Sequence, residues 1–90
     1  MLTINYSTRF KKDYKLVKKR GYDIGLLEEV LEILCAEQPL PQKYRDHALT
    51  GNYDGHRECH ITPNWLLIYE VAGDGLILYL TRTGTHSDVL

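Results

Sequence analysis

His47, His60 and His86 fall in the second half of this chain, each beside a turn signal, and Trp65 follows closely behind the second. His86 stands four residues from the end, in Arg82-Thr83-Gly84-Thr85-His86-Ser87-Asp88-Val89-Leu90. Terminal residues usually fray, so a histidine there is poorly placed to be core. Imidazole titrates at about pH 6.5, which suits it to give or take a proton near neutrality. Several imidazoles gathered on one small fold therefore point to proton transfer or to a metal site.

The spacing argues against a metal. His56-Arg57-Glu58-Cys59-His60 has two histidines four apart, as a helical zinc site requires. The segment reads instead as loop entering strand, where that spacing separates side chains by roughly 13 Å. No metal and no other cofactor is expected. Metal-free RNA cleavage fits the residues better, because RNA brings its own nucleophile, the 2′-OH. The protein must take that proton, neutralise the phosphate and protonate the departing 5′-oxygen. General acid–base help of this kind contributes about 10² to 10⁴ in rate. An aromatic at the groove rim can also stack an unpaired base, worth about 1 to 3 kcal/mol. His47, His60, His86, Arg45, Arg57, Arg82 and Trp65 make up that kit. Taken alone, Trp65 serves equally well as a core anchor at a strand end.

The elements that must position these residues read as follows. Leu2 to Tyr6 alternates apolar and polar, as a strand does. Ser7 or Thr8 can cap a helix in which Phe10, Tyr14 and Val17 recur on one face. Gly21 ends it. Asp23 can cap a second helix carrying Leu27, Val30, Leu31 and Leu34, with Pro39 and Pro41 as its stop. Gln42 to Gly55 is too rich in turn formers to be regular. Arg57 to Ile61 reads as a short strand and Thr62-Pro63-Asn64 as a turn. Trp65 to Val71 is a strand whose apolar run implies cover on both faces. Gly73-Asp74-Gly75 turns into the last strand, Leu76 to Thr83. The order β-α-α-β-β-β predicts an α+β fold, a helical hairpin packed on a mainly antiparallel sheet as a two-layer sandwich.

Ninety residues make one domain, 1–90. A chain of this length buries roughly 60 to 68 % of its unfolded surface, so any active site must be a surface groove. There is no apolar run of ~20 residues and no signal pattern at Met1-Leu2-Thr3-Ile4-Asn5, which predicts a cytoplasmic protein with no membrane partner. Cys35 and Cys59 lack paired spacing and read as buried thiols. The formal net charge of −1 hides an asymmetry, since residues 1–20 hold seven bases against Asp13 alone and residues 21–40 hold five acids and no base. Lys11, Lys12, Lys15, Lys18 and Lys19 form a basic stripe on the first helix, suited to docking on a polyanion.

Three blocks carry a specific resemblance. Tyr44-Arg45-Asp46-His47-Ala48-Leu49-Thr50-Gly51 is the first, and Gly55-His56-Arg57-Glu58-Cys59-His60-Ile61-Thr62-Pro63-Asn64-Trp65 the second. With Arg82-Thr83-Gly84-Thr85-His86-Ser87 as the third, the chain closely resembles the YafQ branch of the RelE/ParE toxin superfamily, over its whole length. These are toxins of bacterial type II toxin–antitoxin modules. The resemblance implies a RelE-like fold and a ribosome-dependent mRNA endonuclease that cuts the A-site codon and leaves a 2′,3′-cyclic phosphate. It also implies inhibition by a cognate antitoxin, so the expected partners are antitoxin, mRNA and ribosome. Carried onto this chain, it assigns catalysis to His47, His60 and His86 and an activity-supporting aromatic to Trp65. The family pattern has aspartate before the tryptophan and phenylalanine near the C-terminus, where this chain has Asn64 and Leu90. An amide cannot serve as acid or base, though it can hold a phosphate or base edge. A histidine must then take the 2′-OH proton, with His60 or His47 as base and His86, on a mobile tail, as acid. A ParE-like gyrase poison and a non-catalytic antitoxin-binding homologue are the alternative readings. The histidine cluster speaks against the first, while Asn64 and Leu90 keep the second open.

Overall fold

The capping residues set the first half of the molecule. In the computed structural model, which describes residues 1–90, strand β1 (Thr3–Tyr6) leads into helix α1 (Thr8–Lys19). The Ser7 hydroxyl accepts from the Phe10 amide at 2.9 Å and donates to the Thr81 carbonyl at 2.6 Å, fixing both the helix start and its place on the sheet. Asp23 caps α2 (Ile24–Cys35) by accepting from the Gly25 amide at 3.0 Å. Both helices end in the same way. Amides two and three positions past the last helical residue turn back onto carbonyls of the final turn: Gly21 to Lys18 and Tyr22 to Val17, then Glu37 to Leu34 and Gln38 to Ile33. Such an ending needs a positive φ, which Gly21 supplies at 83° and Glu37, without glycine's freedom, at 59°. The second helix therefore stops at Cys35, before Pro39 can act on it.

Five strands follow the order β1-β5-β4-β3-β2, where β2 is His47–Ala48, β3 Arg57–Thr62, β4 Trp65–Ala72 and β5 Ile77–Gly84. Neighbours are antiparallel except β1, which lies parallel to β5. The α+β expectation holds. The segment expected to be irregular differs in detail: it contains the two-residue β2 and two short 3₁₀ turns, Gln42–Tyr44 and Gly51–Tyr53. A last short helix, α3 (His86–Val89), also replaces the expected loose tail.

Phe10 and Val17 of α1 with Leu27 and Val30 of α2 pack onto Cys59, Ile61, Trp65, Leu67, Tyr69, Leu78 and Leu80 of the sheet. The opposite face of β4 carries Leu66 and Ile68, covered by Val89 of α3 with Leu49 and Tyr53. The unbroken apolar run of β4 is thus explained: both its faces are covered. Burying such a side chain contributes about 1.5 to 3 kcal/mol, so Leu66 and Ile68 hold the C-terminal turn against the sheet. No helix is long and apolar enough to cross a membrane.

Candidate active site

The sheet register brings the histidines together. On β3, Glu58 and His60 share a face because side chains alternate along a strand. His47 of β2 is the cross-strand partner of Glu58, and the His47 and His60 rings lie 6.4 Å apart, centre to centre. His60 is paired with Leu66, and Leu66 with Gly84, so the three stand side by side across β3, β4 and β5. His86, two residues beyond Gly84, turns back over that row. His60 and His86 consequently line one cleft of about 520 Å³ with Tyr22, Pro63, Asn64, Leu66, Thr85 and Ser87. His47 is not part of that wall, but stands behind His60.

Each histidine is held by identifiable partners. Arg45 adopts the left-handed conformation (φ 49°, ψ 42°), which aims its carbonyl at His47 Nδ1, 2.7 Å away. A carbonyl only accepts, so Nδ1 carries the proton. Asp46 pins the same loop by accepting from Arg57 Nε and Nη2 at 3.1 and 2.9 Å and from the Tyr69 hydroxyl. Burial, then the Asp46 contact, drives the Tyr69 phenol well above its ordinary value. The Glu58 carboxylate is buried at 5 % exposure, with Oε1 3.7 Å from His47 Nε2 and 3.4 Å from His60 Nε2.

The tail is docked, which corrects the expectation of a mobile one. Thr85 caps α3 by accepting from the Asp88 amide at 3.2 Å, and the Thr85 amide donates to Asp88 Oδ2 at 2.9 Å. Arg20 Nη1 donates to the same carboxylate at 2.7 Å, Arg82 to the Asp88 carbonyl at 3.1 Å, and Tyr53 to the Val89 carbonyl at 3.0 Å. The Arg20 guanidinium, then the Thr85 amide, hold the Asp88 carboxyl far below the usual carboxylate range. His86 is exposed at the first position of this anchored turn.

Several expected ligand-binding side chains have other work. Trp65 is buried at 2 % exposure, donates to Thr83 Oγ1 at 2.8 Å and meets Tyr22 edge-on at 5.0 Å, so its ring cannot stack a base without unpacking the core. Arg82 is buried and bound to Asp13 at 2.7 and 3.2 Å, which occupies its guanidinium. Leu90 is exposed and borders a separate hollow with Arg9, Asn52 and Tyr53. Arg57 is half-exposed but tied to Asp46. Arg45 and Asn64 remain exposed, Arg45 bordering a hollow with His60 and Asn64 lining the cleft itself. His56 is half-buried beside Tyr53 and Glu70. Both cysteines are buried and free, and burial pushes the Cys59 thiol up to about 12.

The lysines of the first helix are exposed, and none lies within 4 Å of a carboxylate. Lys11, Lys15 and Lys18 rim the groove between α1 and α2. Sequence reasoning missed Glu58, Asp46, Asp13 and Asp88. Glu58 was within reach, since Glu58 and His60 are the polar positions of a strand whose Cys59 and Ile61 face the core. The others act through contacts far apart in sequence. No three or more histidine, cysteine, aspartate or glutamate side chains converge as a metal-holding group.

Comparison with known proteins gives the family and matches the fold. Residues 2–90 match the family described as the bacterial toxin of type II toxin–antitoxin systems, YafQ. The mRNA interferase toxin YafQ of Escherichia coli K12 is 40 % identical over 85 residues, covering 93 % of this chain and 90 % of the relative. A metal-bound toxin from Helicobacter pylori superposes with a TM-score of 0.93 at 44 % identity over the full length of both chains. YafQ in the E. coli DinJ–YafQ toxin–antitoxin complex superposes with a TM-score of 0.88 at 38 % identity, covering 99 % of this chain and 97 % of that one.

Proposed function

This chain belongs to the YafQ family of bacterial type II toxins, which includes mRNA interferases, and from that premise we propose that it cuts mRNA on the ribosome without a metal or other cofactor. The single observation carrying the reading is that His60 and His86 face one cleft, with His47 directly behind His60. A phosphodiester in that cleft has an imidazole on either side. His60 or His47 takes the 2′-OH proton as the 2′-oxygen bonds to phosphorus. The bond from phosphorus to the 5′-oxygen breaks, His86 protonates the departing oxygen, and a 2′,3′-cyclic phosphate remains. Asn64 holds a phosphate or base edge at the rim, and Arg45 supplies positive charge.

An A-site codon offers few phosphates, and affinity for a polyanion grows with the number neutralised. Lys11, Lys12, Lys15, Lys18 and Lys19 therefore dock on ribosomal RNA, with the enzyme acting in the cytoplasm. A cognate antitoxin silences it, a partnership supported by the DinJ complexes of YafQ relatives.

Primer extension on translated and untranslated copies of one transcript, after induction, tests the reading. New ends should appear within codons of the translated copy only. His86→Ala should lower cleavage by about two to four decades. Full activity of His86→Ala would refute its role as the acid, and induction with no new ends and no growth effect would favour a non-catalytic antitoxin-binding protein.

A further inference from the structure

Glu58 has no role in the scheme above, yet it is the buried carboxylate nearest the site. Its Oε1 faces Nε2 of both His47 and His60, and no lysine or arginine lies within 4 Å of it. From β4 it is opposed by apolar Ile68. A buried charge is costly without a partner, and the two imidazoles are the partners available to this one.

We propose that Glu58 is a positioning residue that sorts the two histidines, leaving His60 Nδ1, rather than His47, as the acceptor of the 2′-OH proton. This rests on the ribonuclease reading for its consequence, not for its geometry. A carboxylate oxygen only accepts, so it favours the tautomer that turns an N–H, not a lone pair, toward it. For His60 that nitrogen is Nε2, and a neutral imidazole has one N–H, so Nδ1 keeps its lone pair. His47 is placed differently: Nδ1 faces the Arg45 carbonyl at 2.7 Å while Nε2 faces Glu58. That Nδ1–H is committed to the carbonyl, and the His47 ring lies outside the cleft wall, so His47 is not the base.

The consequence is a defined transfer. The proton leaves the 2′-oxygen for His60 Nδ1 as the new bond to phosphorus forms and the bond to the 5′-oxygen breaks. His86 returns a proton to that oxygen. Glu58 then lies beside the imidazolium formed on His60 and offsets its charge, as a carboxylate does behind a histidine base in serine proteases.

Long-range proton–nitrogen NMR of the ¹⁵N-labelled free protein at neutral pH reads the assignment directly. His60 should show the Nε2–H tautomer, and Glu58→Gln should lower that fraction. The same variant should reduce kcat by about 10- to 100-fold, with KM changed by less than about twofold, because the histidines remain but their proton positions do not. Glu58→Asp should restore part of kcat relative to Glu58→Gln. A wild-type His60 in the Nδ1–H form overturns the proposal, and this holds even if Glu58→Gln fails to fold. Unchanged kcat in a folded Glu58→Gln overturns it as well. A chain that cuts no RNA yet shows the Nε2–H form, weakened in Glu58→Gln, upholds the sorting of the rings and removes the ribonuclease reading instead.

Discussion

Asp46 joins the loop bearing His47 to the sheet, and removing it tests how that loop is held. Asp46→Ala leaves the Tyr69 hydroxyl, on a residue only 2 % exposed, without its acceptor. An orphaned buried donor costs about 1 to 3 kcal/mol. The Arg57 pair adds little, about 0 to 1 kcal/mol, because the Arg57 side chain is 44 % exposed. The sum centres near 2.5 kcal/mol, which in a domain of this size lowers Tm by roughly 10 to 20 °C. Tyr69→Phe alone should cost about 1 kcal/mol, since Arg57 still satisfies the carboxylate. The double variant should be less destabilised than the two singles together by about 1 to 2 kcal/mol, because removing the hydroxyl removes the orphan. Urea unfolding of the four proteins closes the cycle. Additivity to within ~0.3 kcal/mol would refute the claim that Tyr69 and Asp46 act as a unit. Cleavage should fall in Asp46→Ala and survive in Tyr69→Phe, which keeps the Arg57 anchor and thus the His47 position.

Two further outcomes follow from named contacts. A Cβ built on Gly84, whose φ is 148°, would stand 2.8 Å from Asp88 Oδ2 and 2.9 Å from its Cβ, so Gly84→Ala should loosen α3. The Val89 and Leu90 amides, bonded within that turn, should exchange with deuterium at least tenfold faster (about 1.4 kcal/mol) while those of β3 and β4 do not. The pH limits of stability carry opposite signs. The Asp88 carboxyl is depressed in the folded chain, so its contribution is complete above its ordinary value of 3.8 and fades as pH falls below it. The Tyr69 phenol is raised, so its contribution is complete below its ordinary value of 10.0 and fades as pH rises above it. Thermal unfolding across pH should show both declines, the alkaline one shallower in Tyr69→Phe but not abolished, because the buried Cys59 thiol is raised as well.

Local signals were legible, and contacts between distant residues were not. Ser7 and Asp23 announce both helices because a cap is a bond to an amide two or three residues away. The stop at Cys35 was hidden because Glu37, not a glycine, takes the left-handed position. The double-sided apolar pattern of β4 foretold a second cover. Its source, Val89, could not be read from a valine that follows three polar residues. The parallel pairing of β1 with β5 joins opposite ends of the sequence and leaves no local trace. In the site, His60 and His86 stood out by type, while the cleft they share could not be read from their spacing. Arg82 was misread because its partner, Asp13, lies 69 residues away, and Trp65 because a strand-end aromatic suits core and rim alike.

The C-terminal turn joins cover and cleft in one segment. Its Val89 completes the cover over Leu66 and Ile68, and its first residue is His86. Whatever lifts this turn off the sheet therefore bares an apolar strand face and withdraws one wall of the cleft in a single event.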